Sequence, residues 1–285
     1  MTIFFGLLSA FSYGLADFVG AIAAKKIRAL AVTAISFSFG LAIAIMLSQI
    51  IGAEYSAQTI QTGIWAGICS AVAISCLYAA LALGPISIVS PLTAVISAMI
   101  PVVFDVAAGQ ALSGFATLAV ILVLVAVVLV GFVPGEKVKL PSPLALLYAL
   151  GAGLGFAGIF VFLDATAKDS GLAPLVIMRA VGLALLLLGL SYLAIKNQAR
   201  FIEKAAFSKS TLPLILLAGT GDVLGNVFFL VATREGALAI AAILTSLYPI
   251  GTILLAWLIL KERIALSQTV GIVLGLAACG LLALS

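Results

Sequence analysis

The sequence contains no histidine. That removes the commonest general base and the commonest metal ligand. Ser-His or Cys-His catalysis, imidazole-ligated haem and most zinc sites go with it. Charge is nearly as scarce: Asp, Glu, Lys and Arg make up 8% of the chain, against about 25% in a soluble domain. The net charge of +4 is spread over short loops and forms no basic tract, which argues against a nucleic-acid partner. There are three cysteines. Cys69 and Cys76 are seven apart on one helix face, a spacing that cannot close a disulfide. With Cys279 they read as small buried hydrophobes. No Walker A sequence is present, so ATP drive within the chain is not expected. No nucleophile, base or metal cluster stands at one depth, so neither catalytic residues, nor a cofactor, nor a metal site is expected.

What is abundant is apolar surface. Hydrophobic residues make up 65% of the chain and the mean hydropathy is +1.37. Such a chain cannot cover itself with polar groups, so lipid must be its solvent. Runs of spanning length recur at 3–22, 30–50, 63–82, 87–107, 114–133, 143–164, 172–195, 212–233, 237–259 and 267–284. Runs of about 20 residues read as transmembrane helices, because barrel strands would be about 10 and alternating. The first run has Asp17 inside it and no Lys or Arg before it, which reads as a retained span rather than a cleaved leader. The expectation is an all-α, multi-pass integral membrane protein with ten transmembrane helices, in a bacterial inner membrane.

GAGLGFAG, Gly151 to Gly158, contains G-x-G-x-x-G. A dinucleotide fingerprint needs a strand before the glycines and a helix opening on them. Here the glycines lie inside a span. Gly151 and Gly155 form a GxxxG pair, so the stretch reads as a helix-packing seam. Gly219 to Gly225 reads likewise, apart from its aspartate.

The chain resembles itself at a shift of roughly 140 to 150 residues. GLLSAFSYGLADF lies against ALLYALGAGLGFA, with Gly14-Leu15 on Gly153-Leu154. ISIVSPLTAVISAMIP lies against LAIAAILTSLYPIGTI, with Ser90 on Ala242, Thr93 on Thr245 and Gly84 on Gly236. This implies two five-helix repeats, about 1–133 and 143–285. Five is odd, so the second must be inverted in the membrane. Inverted repeats with a site near midplane are a recurrent transporter architecture.

The chain resembles EamA-type members of the drug/metabolite transporter superfamily. The resemblance is carried by Ser12 to Gly20 (SYGLADFVG), by Tyr78 to Leu92 (YAALALGPISIVSPL), and most strongly by Tyr248-Pro249 followed by Leu258 to Ile264 (LILKERI). It covers nearly the whole chain and bears on fold rather than substrate. Gly109-Gln110-Ala111 stands where Lys261-Glu262-Arg263 stands in the second half, so a role for that glutamate is not duplicated. Arg179 resembles an arginine found in the second helix of a family repeat, where the first half has Phe37.

Charges at membrane depth mark function or a pair. Asp222 is the best single candidate, read equally as a protonatable or cation-binding group and as a structural partner for Arg179. Asp17 reads as a cavity or gate residue, or as one close enough to the interface to be wetted. Asp105 and Asp164, near span ends, are expected to be solvated, as is Arg234-Glu235. Pro91 and Pro101 in the fourth span and Pro249 in the ninth are expected to interrupt corresponding helices, the best sequence pointer to a transporter site. Ser90, Thr93, Thr245 and Tyr248 lie beside them and could line a cavity or satisfy freed backbone groups.

Loop lysines and arginines concentrate after spans 1, 5, 7 and 9, which places that side in the cytoplasm and both termini outside. The family resemblance implies both termini inside. The function expected is secondary transport of a small metabolite or amphipathic compound, outward, by alternating access. Proton coupling, exchange and facilitated diffusion are all compatible with the sequence. The rival is a non-transporting scaffold or sensor of the same fold.

Overall fold

A computed structural model describes residues 1–27, 29–83, 86–110, 112–131, 141–197, 208–261 and 264–283. The side chains of 29, 78, 81, 82, 86–88, 90, 193, 194, 197 and 283 lie outside the description, and Ser90 is among them. The described chain is helical, with one isolated antiparallel bridge between Ala53 and Gly171 and no strand. In lipid every backbone N–H and C=O must find a partner within its own segment, and the helix provides that.

The helices are α1 (Thr2–Ala24), α2 (Ala29–Ile51), α3 (Ala57–Leu83), α4 (Ile86–Ala107), α5 (Gly114–Gly131), α6 (Pro143–Asp164), α7 (Ala173–Asn197), α8 (Leu212–Glu235), α9 (Leu238–Thr245), α10 (Tyr248–Leu260) and α11 (Leu266–Ala283). Among the described residues eight stretches are long and apolar enough to cross a membrane, one of them Leu238–Leu260, which joins α9 and α10. Pro91–Ala107 and Leu266–Leu282 are shorter apolar helices. Local chemistry sets several starts. The Ser142 Oγ accepts from the Ala145 N–H at 3.1 Å, with Pro143 at the first helical position. Ser113 does the same for Ala116 at 3.1 Å. Each cap satisfies a donor the helix leaves orphaned.

The prolines behave differently from one another. The ninth span breaks at Ser246-Leu247, and α10 restarts with Pro249 in its first turn. There the missing N–H is one that a helix start leaves free anyway. Pro91 and Pro101 lie inside a continuous α4, which corrects the expectation that both corresponding helices are interrupted. Each removes one ladder bond, and the remaining turns carry the helix past it. The Pro91 ring lies where a Cβ on Gly131 would stand, so the ring is accommodated by a neighbour without a side chain.

Helix pairing sorts the spans into three groups. One bundle holds α1, α2, α8 and α9–α10. The other holds α3, α4, α6 and α7. The α5–α11 pair packs outside. The bundles meet chiefly at α2 on α7 and at α4 on α9.

Two ends of the molecule are defined by contacts. At one, Thr2 touches Gly236, Gly52 and Glu54 bond the 170–172 turn, and Gln58 bonds Ala165. At the other, Lys26 Nζ donates to the Ser210 carbonyl at 3.0 Å and Gln268 Nε2 to that of Val130 at 3.3 Å. The first end carries the N-terminus, and the second carries Lys25, Lys26, Lys196, Lys209 and Lys261. Helices α1 and α6, which begin the two halves, therefore run in opposite directions.

Candidate functional site

Glycine decides how closely α1 can approach α8. A Cβ on Gly221 would lie 2.8 Å from the Ser12 carbonyl oxygen, and one on Gly225 2.8 Å from the Tyr13 ring. Ser9 Oγ donates to the Gly225 carbonyl at 2.8 Å across this seam. The same approach occurs between α3 and α6. Cβ atoms on Gly151, Gly155 and Gly158 would meet Cys76 at 3.1 Å, the Ala73 backbone at 2.8 Å and Cys69 at 2.6 Å. The stretch is thus a packing seam, and the cysteines are free thiols filling it. Gly153 faces α4 instead, against Ile96 and the Thr93 carbonyl.

The tight α1–α8 seam sets a group of polar side chains at mid-helix. Tyr13 and Asp17 are four apart on one face of α1. The charges that act on Tyr13 are Asp222, Arg179 and Asp17, and Asp222 acts on Asp17. Arg179 NH1 forms an ion pair with Asp222 Oδ2. Arg179 is 3% exposed and Asp222 29%. The guanidinium also lies over the Phe37 ring, 4.9 Å from its centroid, a favourable cation–π placement. Asn226, one turn along α8, donates its Nδ2 to the Asp222 carbonyl at 2.8 Å. Asp17 is exposed while Ala16, Phe18 and Val19 around it are buried. On α1 the positions 240–300° around the wheel are covered at Gly6 and Ala10, and open at Asp17, Ala21 and Ala24. The exposed part of that face therefore lies toward the lysine-rich end.

Of the sequence candidates, Asp17, Asp222 and Arg179 come together. Thr93 and Thr245 do not line an open space, contrary to the cavity reading. Each is 1% exposed, because each is caught in a helix seam. Thr93 Oγ1 donates to the Ala149 carbonyl at 3.4 Å, and Thr245 Oγ1 finds no hydrogen-bond partner among the described residues. We expect Thr93→Val to cost under about 1 kcal/mol and to leave function intact, because the swap removes only a long, weak bond. Thermal unfolding of the purified variant checks this. The half-buried Tyr248 reaches the site's helix through backbone: its carbonyl and Gly251 are the neighbours of Gly14, and Thr252 Oγ1 donates to the Gly14 carbonyl at 3.2 Å. Tyr13 was missed from the sequence, although its position four residues before Asp17 marks it.

Two residues expected to be solvated are held by hydrogen bonds, one buried and one half-buried. Asp105 is 4% exposed and its Oδ2 accepts the Ala239 N–H at 2.7 Å. It caps α9 from another helix, where the orphaned donors and the helix dipole favour an anion. Arg234 Nη2 donates to Ser170 Oγ at 2.9 Å and to the Gly171 carbonyl at 2.7 Å. Glu262 and Arg263 lie outside the described residues. No group of three or more Cys, Asp or Glu that could hold a metal occurs among the described residues.

Residues 143–284 match the family model of the EamA-like transporter family. The second half of the chain is an EamA-like transporter domain. The family is one of membrane transporters in the drug/metabolite transporter superfamily, and this EamA-like chain is a helical, multi-pass integral membrane protein. A solved crystal structure of a protein is 14% identical and superposes with a TM-score of 0.79, over 99% of this chain and 96% of that one. At that identity the likeness is one of fold. No curated protein matches the sequence.

Proposed function

We propose that this EamA-like protein is a secondary transporter that moves a small metabolite or amphipathic compound by alternating access, in the outward direction. The observation that carries the reading is the Asp17–Tyr13–Asp222–Arg179 group. It holds three charges at the depth of apolar helices, and one carboxylate, Asp17, is exposed within it. Charged groups at such depth are costly and belong to pathways or pairs. Arg179 and Asp222 compensate each other. Among the described residues Asp17 has no such partner, and it is the group placed to meet a substrate or a proton.

Two five-helix repeats, 1–133 and 143–285, account for the packing. Exchanging the halves turns α1 on α8 into α6 on α3, and α2 on α8 into α7 on α3. Gly14 faces α10 at Tyr248, and its counterpart Gly153 faces α4 at Ile96, the residue that aligns with Tyr248. Arg179 stacks on Phe37, its own counterpart in the first half. The lysine-rich end lies in the cytoplasm by the positive-inside rule, so the site opens inward and an exporter would load there. A bacterial inner membrane suits this reading.

The test is flux in proteoliposomes with a panel of amino acids, nucleosides and cationic drugs, with and without a pH gradient. We expect uptake of one class. Asp17→Asn, which keeps size and removes charge, should lower that flux at least tenfold. Unchanged flux would remove Asp17 from the pathway. No flux across the panel from folded protein, together with tolerance of Asp222→Leu, would favour a scaffold.

A further inference from the structure

Polar links join the two bundles at the centre and at one end. Arg179 on α7 pairs with Asp222 on α8 at mid-depth. At the end that carries the N-terminus, Asp105 on α4 caps α9, and Arg234 on α8 grips Ser170 and Gly171 just before α7. The same turn is bonded by Gly52, whose carbonyl accepts the Leu172 N–H at 2.9 Å, and by Glu54, whose N–H donates to the Ser170 carbonyl at 3.1 Å. At the lysine-rich end the Lys26–Ser210 and Gln268–Val130 bonds each lie within one group of helices.

The apolar core follows the same division. Toward the N-terminal end one cluster merges both bundles, with Leu163, Leu172 and Leu175 packed among Phe229, Leu230 and Leu238. Toward the lysine-rich end the clusters separate. Ala23, Ile27, Ala31 and Ile215 belong to one bundle and Ala80, Val89 and Ala149 to the other. The α2–α7 contact of Ala34 and Phe37 with Leu186 and Leu190 crosses between them.

We propose that Asp105 and Arg234 are the gate residues of this carrier. They latch the bundles together at the N-terminal end, and the site reaches that side only when both bonds break. The inference rests on the transport reading above. Asp105 suits the role because its partner is backbone: the Ala239 N–H belongs to the first turn of α9, so separating α4 from α9 breaks a charge-assisted bond without unfolding either helix. Arg234 suits it because its guanidinium spans one bundle to the other and its Nε has no hydrogen-bond partner among the described residues. The grip is therefore incomplete, and releasing it gives up two bonds rather than a full set. Gly171 completes the latch. Its φ is +55°, and a Cβ there would run into the Gly52 carbonyl.

The test is hydrogen exchange by mass spectrometry on the full chain in nanodiscs, comparing wild type with Asp105→Ala and Arg234→Ala. Losing one charge-assisted bond should move the equilibrium by about tenfold. Peptides over 236–247 and 166–176 should then exchange about tenfold faster, and peptides over 30–37 and 183–192 should become more protected as the lysine-rich end closes. A merely structural role would raise exchange at both ends, and that result, or no change at either, overturns the proposal. If Asp105→Ala does not fold, Asp105→Asn keeps a neutral acceptor and should give the same reciprocal pattern at smaller amplitude. No reciprocal change in that variant also overturns it. The readout needs no substrate. Reciprocal exchange in a protein without flux would keep the latch and sink the carrier reading, whereas flux without reciprocal exchange would do the reverse.

Discussion

Asp222→Ala should be more damaging to the folded protein than Arg179→Ala, although the two residues form one ion pair. Removing one partner of a buried pair leaves an uncompensated charge, at about 3–5 kcal/mol. The size of that penalty depends on which charge is left. Arg179 is 3% exposed and Asp222 29%, so a stranded aspartate can be wetted from the open side and a stranded guanidinium cannot. The Phe37 ring beneath Arg179 offsets only part of this, since an interaction of that kind contributes about 0.5–2 kcal/mol. We therefore expect Asp222→Ala to approach the upper end of that range and Arg179→Ala to fall well below it. Thermal unfolding in one detergent orders them, and the reverse order would show that the arginine, not the aspartate, is the wetted member. The double variant Arg179→Leu with Asp222→Leu should recover most of the stability, because replacing both charges removes the desolvation term altogether. Substrate flux should stay lost if the pair is opened during transport and should return if the pair is structural only.

A comparably large effect is expected at the α3–α6 seam. A Cβ on Gly155 would lie 2.8 Å from the N, Cα and Cβ of Ala73. Backbone cannot swing aside as a flexible side chain can, so Gly155→Val must push two helices apart along their length. Overpacking of this kind costs about 1–3 kcal/mol in soluble cores and occasionally more. In lipid, close helix contact is itself a main source of association, so the loss should lie at or above the top of that range. Gly189→Val is the control. It sits in a helix of similar hydrophobicity, with nothing within 4 Å of its Cβ position, so the variant should differ little from wild type. Expression level and unfolding temperature of the two variants, measured side by side, decide the matter. Equal losses would mean that any valine in these spans is harmful and that the seam has no special role.

Much of this was legible in the chain itself. A composition with 8% charge and 65% hydrophobic residues leaves helices as the economical solution in lipid, so the helical membrane class followed. The spacing of Gly151 and Gly155 marked a seam, and the scarcity of charge made Arg179 and Asp222 candidates for each other. Both readings depend on features local to a helix, or on a shortage so severe that few pairings exist.

Asp105 shows where such reasoning stops. It stands near a span end, and nothing in its neighbours says whether that end meets water or another helix. The partner is a backbone N–H 134 residues away, and every helix start offers the same donors. Pro91, Pro101 and Pro249 look alike in the sequence. Whether a proline breaks a helix or is absorbed by it depends on what packs there, such as Gly131 beneath Pro91. Periodicity could not choose helix partners either, because lipid-facing and protein-facing sides of these spans are both apolar. The sequence by itself determined that the chain crosses a membrane in helices and that a few charges lie at depth, because solvent and backbone chemistry leave no alternative. The tertiary structure alone decided which faces meet, which carboxylates are exposed and which are buried, and that Asp105 reaches α9, because those depend on contacts between helices far apart in the chain.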